Sequence, residues 1–172
     1  MIITYFGKQF FKLELGGKVL SFNPVSKSSK TGITAKFGAD VALITTNHPD
    51  YNGLDQLSHG ERVPFAITGP GDYEVKEIFI KGALTETNLG GKKYINTVYV
   101  FTLDNINIAF LGALGNGEIS KEAMEAINNP DILFISVGGG DLLDSKGAAK
   151  LASTLEPKMI IPMDYDDKSL KA

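Results

Sequence analysis

Two runs of alternating apolar and polar residues flank a Gly-Gly pair near the start of the chain, and they commit this region to antiparallel sheet. Phe11-Lys12-Leu13-Glu14-Leu15 alternates, Gly16-Gly17 follows, and Lys18-Val19-Leu20-Ser21-Phe22 returns. A period of two places Phe11, Leu13 and Leu15 on one face. Glycine supplies the positive φ that a two-residue hairpin turn demands. A second hairpin is expected from Thr97–Leu103 and Ile106–Leu111 around Asp104-Asn105. Between them, the fully apolar Val41-Ala42-Leu43-Ile44 reads as a buried central strand. Further strands are expected at Ile2–Phe6, Pro64–Thr68, Tyr73–Val75 and Ile78–Ile80. Gly53–Leu57 reads as one helical turn and Thr85–Lys93 as a polar loop.

The last third changes character. Ser120 can cap a helix over Lys121–Ile127, and Asp144 can cap a second. In that second segment Ala148, Leu151, Ala152 and Leu155 recur at i, i+3, i+4 and i+7, one helical face. Asp131–Val137 and Met159–Pro162 are the alternating strands. The pattern predicts a layered α/β (α+β) domain, sheet on sheet with helices outside. With 172 residues, 43% of them hydrophobic and 22% charged, one domain over residues 1–172 is expected. Asp164–Ala172 reads as a helix that stops after one turn, so the chain is expected to be truncated relative to a full domain.

Composition narrows the chemistry. Without Cys, thiolate metal sites, cysteine nucleophiles and disulfides are excluded. A net charge of -3 with no dense basic cluster argues against nucleic acid; Lys27, Lys30 and Lys36 are diluted by Ser and Gly. No apolar run reaches a membrane span, so no membrane partner and a cytoplasmic location are expected. Ser58-His59 defines no triad, and no G-x-S-x-G is present. Gly138-Gly139-Gly140 lacks the spacing of a phosphate loop and reads as a flexible crossover. Gly112–Gly117 is a second glycine-rich loop.

The segment Thr45-Thr46-Asn47-His48-Pro49-Asp50-Tyr51-Asn52 leaves the central strand with the outline of a metal loop. Only His48 and Asp50 in it could ligate, and the chain has two His in all. A catalytic zinc needs three protein ligands. Adding Asp164 gives one imidazole and two carboxylates, a set for a harder cation such as Mn. Alternatively, Asp50 satisfies N–H groups of the tight loop, His48 bonds locally, and no cofactor is held.

Several fragments together resemble the metallo-β-lactamase superfamily, specifically its short Zn-dependent-hydrolase branch similar to ascorbate-phosphate lactonases. They are Ile3-Thr4-Tyr5-Phe6-Gly7, Ala39-Asp40-Val41-Ala42-Leu43-Ile44-Thr45, His48-Pro49-Asp50, Gly69-Pro70-Gly71-Asp72-Tyr73-Glu74-Val75, Ile95-Asn96-Thr97-Val98-Tyr99, Val137-Gly138-Gly139 and Glu156-Pro157-Lys158-Met159-Ile160-Ile161-Pro162-Met163. The resemblance implies an αββα sandwich of two mixed β-sheets with helices on the outer faces. It also implies a metal edge whose main loop reads His-x-His-x-Asp-His. This chain has Thr46, His48, Asp50 and Tyr51 at those places. Thr87, Ala113 and Asp164 stand where the family carries a His, a bridging Asp and a last His. Asn23-Pro24 replaces an orienting Asp-Pro, and Lys8 sits where relatives commonly carry His.

Most ligands are thus expected to be replaced, with Asn23, Thr46, Tyr51, Thr87 and Ala113 lining the vacated site. Tyr51 is expected to project its phenol into the former site and fill the hollow, where it could bond Asp50 or Asp164. The favoured expectation is a non-catalytic protein binding a small molecule or a protein partner, a homo-oligomer or a pair with a metal-competent relative among the forms. The alternative is a Zn or Mn hydrolase of a phosphoester, lactone or amide on a reduced site built from His48, Asp50 and Asp164.

Overall fold

A computed structural model describes residues 1–115 and 119–165. Its first sheet contains β1 (Ile2–Gly7), β2 (Phe10–Leu15), β3 (Lys18–Phe22), β4 (Val41–Leu43) and β5 (Phe65–Ile67), side by side in that order. The Gly16-Gly17 hairpin pairs Phe11 with Phe22 and Leu13 with Leu20. Beyond it, β3–β4 and β4–β5 are parallel, so the N-terminal region is not purely antiparallel. Two long crossovers, 23–40 and 44–64, make that possible, because parallel neighbours cannot be joined by a tight turn.

The second sheet contains β6 (Gly71–Val75), β7 (Ile78–Leu89), β8 (Lys92–Leu103), β9 (Ile106–Phe110), β10 (Ile132–Ser136) and β11 (Met159–Met163), ordered β11-β10-β9-β8-β7-β6. Strands β6 to β9 form a meander, and β9, β10 and β11 are parallel. Helices α1 (Lys121–Ile127) and α2 (Ser145–Leu155) supply the two parallel crossovers. Both are capped as expected: Ser120 Oγ accepts from Ala123 N at 3.1 Å and Asp144 Oδ1 from Gly147 N at 2.7 Å.

The sheets face each other across Phe11, Leu13, Leu20, Phe22 and Leu43 on one side and Tyr99, Phe101, Ile108, Phe110 and Phe134 on the other. Aromatic rings knit the middle, with Phe22 centred 4.9 Å from Phe110. Both helices lie on the six-stranded sheet, where Ala123, Ile127, Ala148 and Leu155 cover Ala83, Val98 and Leu133. The outer face of the five-stranded sheet is covered by irregular chain instead. There Val25, Ala35, Ala39 and Leu57 pack on Phe10 and Ala42.

Tyr99 crosses the sandwich. Its hydroxyl lies 2.8 Å from the Ile44 carbonyl and 3.1 Å from that of Ile67, bridging β8 to the ends of β4 and β5. Tyr99→Phe leaves buried carbonyls short of a donor and is expected to cost about 1.5 kcal/mol. A lower urea midpoint with an unchanged denaturant slope is the check.

The segment Thr85–Lys93 is not a loop. β7 continues to Leu89, β8 starts at Lys92, and the turn is Gly90-Gly91. The buried face changes along β7: Ile78 and Ile80 point into the sandwich, whereas Ala83, Thr85 and Thr87 are the buried residues further on. The five-stranded sheet does not extend beneath the distal half, so Leu84 and Ile95 are exposed there. The expected helix after Asp164 falls on residues 166–172, outside those described. Asp164 itself has a left-handed φ of 56°.

Candidate functional site

Strand β1 ends in a register shift between Tyr5 and Gly7. That irregularity turns the chain so that Lys8, at φ 54°, and Gln9 leave the sheet edge. Lys8 is clamped by its carbonyl, which accepts from Tyr5 Oη at 3.2 Å and from Asp164 N at 3.1 Å. Its ammonium lies 3.1 Å from Asp50 Oδ2 and 5.9 Å from the centre of the Tyr51 ring.

The loop after β4 folds back on itself. Tyr51 N and Asn52 N both donate to the His48 carbonyl at 2.8 Å. His48 Nδ1 accepts from Asp50 N at 3.2 Å. The imidazole sits against Tyr51 and edge-on to Tyr94, with centroids 5.9 and 5.7 Å away. Asp50 Oδ1 accepts from Ser29 Oγ at 2.5 Å. Burial pushes the Asp50 carboxyl up, but the Ser29 and Lys8 bonds outweigh it and hold it below the ordinary carboxylate value.

Behind this ion pair runs a buried chain of neutral amides and hydroxyls. Gln9, with no exposed surface, donates through Nε2 to Gly112 O, Ser136 Oγ and Asp164 Oδ2. Its Oε1 accepts from Asn23 Nδ2 at 2.7 Å. Asn23 also bonds Thr45 twice, through the Thr45 hydroxyl and the Thr45 N–H. Thr46 Oγ1 donates to Asn96 Oδ1 at 3.1 Å, which also accepts from Ala113 N at 2.9 Å. Asn96 Nδ2 continues to Thr85 Oγ1 and Leu111 O.

Of the residues expected to line the site, Asn23, Thr46 and Ala113 therefore lie along one network. Tyr51 packs on Ala113 and Leu142. Thr87 is 5% exposed, on the hairpin strand, and its hydroxyl has no partner among the described residues. Tyr51 does fill space, but its hydroxyl bonds neither Asp50 nor Asp164. Burial, then the fields of Asp164, Asp50 and Asp141, push its ionisation far up, so it stays a neutral phenol.

Asp164 lies apart from the His48–Asp50 pair. Its Oδ2 accepts from Gln9 and from Ser136 Oγ at 2.8 Å, while Oδ1 is buried without a partner among the described residues. Burial raises its ionisation above the ordinary carboxyl value, against the opposing pull of Gln9 and Ser136.

Within the Gly138-Gly139-Gly140 segment, Gly138 is closely packed. A Cβ on Gly138 would lie 2.1 Å from the Asp164 carbonyl oxygen. Gly139 and Leu142 close a turn, with Leu142 N donating to Gly139 O at 3.2 Å. The hairpin tip is latched to the same turn by Gly90 N donating to Asp141 Oδ2 at 2.7 Å. Two clefts flank Lys8. One, of about 450 Å³, runs between Thr31, Gly138 and Tyr165. The other, of about 300 Å³, runs between His48, Tyr51, Gly90 and Asp141. The residues 116–118 of the second glycine-rich loop lie outside those described.

The sequence alone missed Gln9, Asn96 and Ser136. The available signal was a polar side chain set inside a strand-like apolar run, as at Gln9 before Phe10-Phe11.

Among the described residues no three His, Cys, Asp or Glu side chains converge. The His48 Nδ1 lone pair accepts from Asp50 N, Asp50 Oδ1 accepts from Ser29, and the Lys8 ammonium lies 3.1 Å from Asp50 Oδ2. Among the described residues no helix is long and apolar enough to cross a membrane.

A family model described as the Beta-lactamase superfamily domain matches residues 2–164. A crystal structure from Thermotoga maritima, described as a Zn-dependent hydrolase of the metallo-beta-lactamase superfamily, superposes with a TM-score of 0.76 at 34% identity. It covers 98% of this chain and 78% of that one. A UPF0173 metal-dependent hydrolase from Aeropyrum pernix is 23% identical over 95% of this chain and 81% of its own length. Another from Listeria welshimeri is 24% identical over 96% and 86%. Fold, family match and relatives agree, and the chain belongs to the metallo-β-lactamase superfamily, among its metal-dependent hydrolase relatives.

Proposed function

We propose that this member of the superfamily has a degenerate metal site and is a non-catalytic binding protein. A small molecule held in the clefts beside Lys8, or a protein partner, is its ligand. The observation that carries this reading is the ion pair of Lys8 with Asp50 at 3.1 Å, backed by the amides of Gln9, Asn23 and Asn96. A metal-water nucleophile needs clustered anionic or imidazole ligands with one open position. Here His48 Nδ1 and both Asp50 oxygens are bonded to protein groups, which argues against such a position between them. Thr46 and Ala113, where the resemblance implies ligands, support the same reading, since hydroxyl and methyl groups are poor replacements for imidazole and carboxylate.

The competing reading, a hydrolase using His48, Asp50 and Asp164, draws on the names of the relatives. Purification in the presence of Zn and Mn, followed by dialysis and metal counting, separates the two. The expected result is metal far below one atom per chain and no turnover of phosphodiester or lactone substrates. Stoichiometric metal that disappears in His48→Ala or Asp50→Ala would overturn the proposal.

A further inference from the structure

We propose that the Lys8 ammonium is the built-in counter-cation of this pocket, a tethered charge in place of a dissociable one, and that removing the tether creates a binding site for a small free alkylammonium. The inference rests on the metal-free reading above. It concerns which group neutralises the carboxylates.

Three observations carry it. The first is placement. Lys8 Nζ is 3.1 Å from Asp50 and lies over the Tyr51 ring face, and its charge favours the ionised form of both Asp50 and Asp164. A half-buried carboxylate needs a partner, and Asp50 has this ammonium at 3.1 Å. The second is backbone geometry. Lys8 holds a left-handed φ of 54°, a conformation that long side chains rarely adopt. Its carbonyl is fixed there by Tyr5 and by Asp164 N. The residue that supplies the charge to Asp50 is thus held in place by the backbone of Asp164. The third is access. The two clefts open on either side of the Lys8 side chain, so trimming it leaves a channel joined to solvent and lined by Asp50, Asp164 and Tyr51. A carboxylate beside an aromatic face suits a primary ammonium.

The test uses the full chain, metal-free, at low ionic strength. Lys8→Ala and Lys8→Met both retain a Cβ, so backbone strain at residue 8 is unchanged. Each is expected to lower Tm by about 3 °C or more, the scale of one half-buried ion pair in a domain of this size. Tens of millimolar n-propylammonium should restore most of the loss in Lys8→Ala. It should restore little in Lys8→Met, whose side chain fills the channel. Sodium ion and neutral n-propanol should restore neither. Rescue by propanol as good as by propylammonium, or two variants as stable as wild type, overturns the proposal.

If Lys8→Ala does not fold, Lys8→Arg against Lys8→Gln decides. The charged variant should hold its Tm while the neutral one falls, and equal losses overturn the proposal. Metal bound stoichiometrically to wild type defeats the functional reading whatever the variants do. A metal-free wild type with no ammonium rescue defeats the role of Lys8 alone.

Discussion

Asn23→Ala is expected to lower stability by about 4 kcal/mol, a fall in Tm of roughly 12 °C. Asn23 has no exposed surface. Its amide donates to Gln9 Oε1 at 2.7 Å and Thr45 Oγ1 at 2.8 Å, and accepts from Thr45 N at 2.8 Å. Alanine strips all three contacts and admits no water easily, leaving a buried N–H and a buried amide oxygen unpaired. Each such orphan costs about 1–3 kcal/mol. Backbone conformation adds to the loss, because Asn23 sits at φ 37°, where asparagine is better tolerated than alanine. Asn23→Gly separates the two contributions. It loses the same amide but relaxes the backbone, so it should be about 1 kcal/mol more stable than Asn23→Ala. Thermal and urea unfolding of the three proteins gives the answer. A loss below about 1 kcal/mol for Asn23→Ala would mean that the amide chain does not hold the site together.

Gly138→Ala is expected to cost about 3 kcal/mol or more. The new methyl would stand 2.1 Å from the Asp164 carbonyl oxygen and 3.1 Å from its carbonyl carbon. These are backbone atoms and cannot swing aside as a side chain does. Either β10 or the end of β11 must shift, although Val137 N donates to Met163 O at 3.0 Å and Ser136 is in register with Met163. The shift would also pull Asp164 from Ser136. Gly140→Ala is the control: its Cβ meets nothing, but its φ of 67° is left-handed, so a loss of about 1 kcal/mol is expected. Comparable losses at the two glycines, by calorimetry, would show that the close approach at Gly138 relaxes cheaply.

Much of the sandwich was legible where local chemistry decides it. The hairpin around Gly16-Gly17 and the caps at Ser120 and Asp144 stand as read, since turn glycines and capping oxygens act within a few residues. The extension of β7 and β8 was not legible. Thr85 and Thr87 offer no apolar alternation, and their burial depends on chain brought to them from elsewhere in the fold. In the site, His48 and Asp50 are neighbours in sequence and were easily singled out. The cationic partner of Asp50, Lys8, is some forty positions earlier, and the Gln9 bond to Asp164 spans 155 positions. No local pattern encodes such a pairing. Only the closed sandwich brings the end of β1 beside the end of β11.

The amide chain has a direction, and main-chain groups set it. Thr45 N–H can only donate, so it fixes which end of the Asn23 side chain is oxygen. The nitrogen end must then face Gln9 Oε1, which turns the Gln9 nitrogen toward Gly112, Ser136 and Asp164. Ala113 N–H imposes the same choice on Asn96 from the opposite end. The polarity of this relay therefore ends in two amide hydrogens shared among Gly112 O, Ser136 Oγ and Asp164 Oδ2.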